Sequence, residues 1–108
     1  MSMTPEKVVE VVQSCGIPCA HRYFPEGSVP ELPWAVYYLD ESSGFCADNK
    51  VHDRVARWIV ELYERHKDPD LEKRLEDAIE EAFSPCSLYE SWIEDDNCLM
   101  YAYHFTEI

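Results

Sequence analysis

Glycine is scarce in this chain: three of 108 residues, at positions 16, 27 and 44. A Gly-rich loop that cradles phosphate cannot be built from glycines so far apart. The Gly-x-Ser-x-Gly elbow of serine hydrolases is missing too. Basic residues are also few, 9 Lys and Arg against 22 Asp and Glu, for a formal net charge of -13. Such a surface repels nucleic-acid phosphate, so no specific DNA or RNA binding is expected. No apolar run approaches the ~20 residues that a membrane-crossing helix needs. Met1 to Glu10 holds Pro5, Glu6 and Lys7 where a secretory leader would be apolar. The expectation is a soluble chain made in the cytoplasm, with no membrane partner and with reduced thiols.

What is abundant is apolar and aromatic surface, 46% and 13% of the residues. That is enough for one folded domain over residues 1–108 with a core built without disulfides or metal. Five cysteines, Cys15, Cys19, Cys46, Cys86 and Cys98, make an odd set. The nearest approach to a metal site is Cys15-x3-Cys19-x-His21, but its spacer Gly16 to Pro18 is a helix stop and no second ligand pair follows. Any cysteine nucleophile would need a neighbouring base, and His21, His52, His66 and His104 stand in no local motif. Asp95 and Asp96 fall in a turn, and Glu80 and Glu81 on a solvated helix face. The residues therefore predict no catalytic site, no cofactor, no metal and no enzyme activity.

Thr4 and Pro5 make a helix start, an N-cap followed by proline at the first helical position. Val8, Val9, Val11, Val12 and Cys15 form an apolar stripe at helical spacing, and Gly16 and Pro18 end the helix near residue 15. Cys19 to Phe24 reads as a strand. Trp34 to Leu39, after a loop rich in proline, is the clearest strand in the chain. Phe45 to Ala47 reads as a short one. Val51 to His66 is open: Val51, Val55, Trp58, Ile59 and Leu62 fit a helix, while Ala56, Trp58, Val60 and Leu62 fit one face of a strand. Asp68 and Pro69 start a second helix with Leu71, Leu75, Ala78, Ile79 and Ala82 inward and Glu72, Lys73, Glu76, Asp77 and Glu80 outward. Ser84 and Pro85 end it. Two closing strands, Ser87 to Ile93 and Leu99 to Thr106, flank the acidic turn Glu94 to Asn97. The pattern is an α+β fold, a mostly antiparallel sheet with two helices packed on one face.

Both faces of Trp34 to Leu39 and of Val51 to Tyr63 carry large side chains. Two helices cannot bury both faces of a sheet, so part of this surface is expected to meet a partner or another copy of the chain.

A set of segments carries a further likeness. These are Ser14-Cys15-Gly16-Ile17-Pro18, Tyr23-Phe24-Pro25-Glu26-Gly27, Pro33 to Leu39, Phe45 to Val51, Val60-Glu61-Leu62-Tyr63 with Lys67 to Glu72, and Tyr89 to Glu94 before the tyrosine-rich last strand. In these the chain resembles small tail-terminator or tail-completion proteins of the head–tail junction in siphophages and prophages of Gram-positive bacteria. The resemblance implies a strand for Val51 to Tyr63. It also implies a small α+β domain that forms a ring, often a hexamer, on the tail tube and offers a surface to the head connector. Its place would be the host cytoplasm during assembly and then the virion, and a lumen lined by carboxylates would let DNA slide past. The alternative is an acidic binding protein, a DNA mimic or a small inhibitor of a host enzyme.

Overall fold

The computed structural model describes residues 5–40 and 56–106. Within them lie helix α1 (Pro5–Gln13), strands β1 (Cys19–His21), β2 (Trp34–Leu39) and β3 (Arg57–Glu64), helix α2 (Pro69–Ala82), and strands β4 (Ser87–Ile93) and β5 (Cys98–Thr106). The strands form one sheet in the order β1-β2-β3-β5-β4, parallel between β1 and β2 and antiparallel elsewhere. This is the α+β architecture that the patterning predicts. The expected strand at Phe45 to Ala47, the cap at Thr4 and the first part of the Val51 to His66 segment lie outside the described residues.

Each boundary has a local cause. The α1 helix stops at Gln13, slightly before the expected residue 15, because Ser14 and Cys15 close turns onto Glu10 and Val12, and Gly16 then takes φ +81°. The expected strand Cys19 to Phe24 is cut to three residues. Arg22 adopts φ +70°, a left-handed conformation that ends a strand, and Tyr23 N–H folds back onto the His21 carbonyl at 2.7 Å. The ambiguous segment resolves as strand, since β2 and β5 both pair with it residue for residue along Trp58 to Tyr63. Asp68 caps α2 through Oδ1, which accepts the Leu71 N–H at 3.2 Å, with Pro69 next in the chain.

The core lies between the helices and one sheet face. Val8 and Val12 of α1 and Leu71, Leu75 and Ile79 of α2 meet Ala35 and Tyr37 of β2, Trp58, Val60 and Leu62 of β3, and Tyr103 and Phe105 of β5. Strand alternation places these residues on a single face. The Tyr103 hydroxyl reaches through this layer and donates to the Glu72 carbonyl at 2.8 Å. Phe83, just past α2, stacks on Phe105 with ring centroids 5.1 Å apart. No residue of β4 belongs to this buried cluster.

One expectation is corrected. Glu72 faces inward, 5% exposed, because Lys67 reaches over to it at 2.8 Å and Tyr101 and Tyr103 pack beside it. Helical spacing alone put it on the outer face.

Leu75 is fully buried and Leu88 largely exposed. Leu75→Ala should lower unfolding free energy by about 2–5 kcal/mol, and Leu88→Ala by no more than about 0.5 kcal/mol. Chemical denaturation of the two variants checks both values.

Candidate functional site

Cys15, Cys19, Cys86 and Cys98 are all free. Burial pushes the Cys19 thiol up to about 12, and burial with nearby Glu80 and Glu76 does the same to Cys86. Cys98, 3% exposed, is shifted the same way by burial. A thiol held protonated is a poor nucleophile and a poor metal ligand. Cys15 and Cys19 pack against the core, while His21 lies against the Tyr37 ring at 5.0 Å. Among the described residues no three His, Cys, Asp or Glu side chains gather closely enough to hold a metal ion.

Two shallow grooves open on the sheet face away from the helices. One, of about 700 Å³, is bordered by Tyr38, Arg57, Tyr89, Met100 and His104. The other, of about 860 Å³, is bordered by Tyr23, Phe24, Val29, Trp34, Tyr63 and Arg65. His104 lines the first without a cysteine, and Cys98 lines the second without a histidine. Between them stands Glu61, held from both sides. Tyr38 donates to Oε2 at 2.5 Å and Tyr63 donates to Oε1 at 2.7 Å. Burial, and then these bonds to a carboxylate, push both phenols above their usual range, so both remain donors. The Trp34 ring stacks at 4.8 Å on Tyr63, and Phe24 meets its other side edge-on. This arrangement fixes a polar group on an aromatic floor. It offers no base beside a nucleophile.

The helix side carries a second polar cluster that the sequence reading missed. Glu64 sits at the end of β3 on the core face, 1% exposed, in line with Trp58, Val60 and Leu62. That alternation was the available signal: a carboxylate at a core position of the strand. Both its oxygens, and Oε2 of Glu72, lack a partner as ionised acceptors. A proton on Glu64 resolves this, since the acid then donates to Glu72. Burial, followed by that bond to Glu72, raises the Glu64 carboxyl to about 8. Lys67 closes the cluster, 2.8 Å from Glu72 and 2.8 Å from Glu90 on β4, with its ammonium over the Tyr101 ring at 4.9 Å. The cluster fastens α2 to the sheet and orients Glu90.

Tyr37, Trp58, Tyr103 and Phe105 are core, Trp34 and Tyr101 are partly buried against it, and Tyr38 and Tyr63 lie with Trp34 on the open face. Tyr89 and Trp92 on β4 stay 58% and 52% exposed. Leu88 beside them is exposed as well, and so are Tyr23 and Val29 near β1. The candidate functional surface is therefore the β4 edge. It is a seven-residue outer strand, Ser-Leu-Tyr-Glu-Ser-Trp-Ile, with apolar side chains on both faces. Edge strands of this kind are normally blunted by proline, lysine or a bulge. This one holds no proline or lysine, and its single charge, Glu90, is already bound to Lys67.

The proton on Glu64 gives folding a pH dependence of defined sign. Below the ordinary value of 4.5 both folded and unfolded chains hold it, and above about 8 neither does. In between, only the folded state keeps it, so this contribution to stability is full at acid pH and is lost as pH rises through 8. Between pH 5 and 8, Glu64 should therefore cost up to about 1.4 kcal/mol per pH unit. Denaturation midpoints should fall across that range in the parent and flatten in Glu64→Gln, which keeps a neutral donor.

No protein-family model matches the chain, and no curated protein matches it.

Proposed function

We propose that the chain is a structural protein of a phage or prophage head–tail junction, a tail terminator or tail-completion protein that works by ring assembly on the tail tube. The observation that carries the assembly reading is the unguarded β4 edge with Leu88, Tyr89 and Trp92 exposed. An apolar strand edge left open on a small domain invites another chain. The head–tail assignment comes from the likeness of segments such as Val60-Glu61-Leu62-Tyr63 and Lys67 to Glu72 to proteins of that class. Two further features support the reading. The described thiols whose pKa is shifted are shifted towards the protonated form. The net charge of -13 suits a ring through which DNA phosphate must pass without sticking. The partners on this account are further copies of the chain, the tail-tube protein below and the head connector above.

Purified virions, released by inducing the prophage that carries the gene, test this directly. Quantitative mass spectrometry should find the chain at a few copies per particle relative to the major tail protein, near six for one hexameric ring. Absence from complete particles would defeat the reading and favour an acidic inhibitor or DNA mimic.

A further inference from the structure

We infer that Lys67 is a pH-operated latch on β4. While Glu64 holds a proton, Lys67 bridges α2 to β4; once that proton leaves, Lys67 turns inward to the Glu64–Glu72 pair and lets Glu90 go. The inference concerns the isolated chain and does not rest on the head–tail reading.

Glu64 ends β3 with its side chain buried, and Glu72 is buried in the first turn of α2. Both Glu64 oxygens and Oε2 of Glu72 lack a donor, and the two carboxyls face each other. Two buried carboxylates in contact disfavour a second charge, so the pair keeps a proton. The remaining Glu72 oxygen, Oε1, accepts from Lys67 Nζ at 2.8 Å, and so does Oε1 of Glu90 on β4, also at 2.8 Å. One ammonium thus serves two carboxylates, the first buried and the second about half exposed.

The titratable groups around Glu64 are Lys67 and Asp68 from the connection after β3, Glu72 from α2 and Tyr103 from β5. Lys67 meets Glu72, Glu90 and the face of the Tyr101 ring, with Glu76 of α2 also near Tyr101. Burial holds Tyr101, Tyr103 and Cys86 above their usual ranges, and the bonds to Glu72 and then Glu90 do the same for the Lys67 ammonium. These groups keep their protons while Glu64, raised to about 8 by burial and by its bond to Glu72, loses its own.

Relative cost decides where Lys67 goes. An exposed ion pair contributes little, because water replaces the lost partner. A second charge in a buried pair is far more costly unless a cation meets it. Lys67 is already close enough to act on Glu64, so a change of side-chain rotamer suffices. Glu90 then returns to solvent. Strand β4 keeps its ladder to β5 and, just before its start, the bond from the Cys86 N–H to Glu80 at 3.0 Å. Its middle loses the tie to α2, and the stretch from Glu90 to Ile93, with the exposed Trp92, is loosened.

NMR of the folded chain, with isotope-labelled glutamate and backbone nitrogen, tests this in a titration from about pH 6 to about pH 10. The Glu64 carboxyl carbon should move with a midpoint near 8. Through the same step, amide exchange from Glu90 to Ile93, corrected for the intrinsic rate, should quicken about threefold. Glu64→Gln should show neither change. In Lys67→Met, which has no latch, Glu64 should still titrate while exchange in β4 shows no step.

A Glu64 carbon already fully titrated at the acid end overturns the inference. So does a Glu64 step with exchange from Glu90 to Ile93 unmoved. The same exchange step in Lys67→Met would mean that the buried charge loosens β4 without Lys67, and overturns it too. Should Lys67→Met fail to fold, Glu90→Gln removes the latch at its exposed end and is read in the same way.

Discussion

The helix layer of this protein stops one strand short of its sheet, and much of the rest follows from that. Helices α1 and α2 bury Val8, Val12, Leu71, Leu75 and Ile79 against β2, β3 and β5, and no β4 side chain shares in that core. Strand β4 is held instead by its ladder to β5 and by the ion pair between Lys67 and Glu90. An outermost strand attached mainly through its backbone keeps its side chains free for something else. The protein is therefore well packed at its centre and carries exposed apolar side chains, Leu88, Tyr89 and Trp92, at its margin.

The buried acids serve the same arrangement. Glu64 and Glu72 lie where the end of β3 meets the first turns of α2, and Lys67 joins them to Glu90. Burying carboxyl groups is costly unless they are neutralised or paired. A proton on Glu64 and the Lys67 ammonium bound to Glu72 do both. The result ties three elements together, α2, β3 and β4, through polar contacts rather than apolar packing. On the opposite face Glu61 is treated differently, pinned by two phenols that hold it in place on an aromatic floor. Three carboxylates, Glu61, Glu64 and Glu72, thus occupy three environments.

Much of the fold was legible from local rules. Pro5 and Asp68-Pro69 announced the helices, Gly16 the end of the first, the β-branched and aromatic richness of Trp34 to Leu39 one strand, and the alternation of Leu99 to Phe105 another. What was illegible depended on partners distant in the chain. Arg57 to Glu64 is a strand because β2 and β5 flank it, which periodicity within the segment cannot reveal. The early end of β1 rests on the left-handed Arg22, a conformation that a residue of that type rarely adopts. Glu72 is inward because Lys67 and two tyrosines meet it there. The candidate site followed the same division. Excess aromatic surface was readable from composition, but which of those residues stayed exposed was decided by where the helices came to rest.

The central claim is that the β4 edge is where the molecule meets its neighbour. Amide hydrogen exchange followed by mass spectrometry, on dilute and concentrated samples of the parent chain, tests it most directly. Peptides covering Ser87–Ile93 should gain protection as concentration rises, while those from Val60 and Tyr103 at the sheet centre stay unchanged. Unchanged exchange of Ser87–Ile93 at every concentration, or protection gained only on the helices, would contradict it.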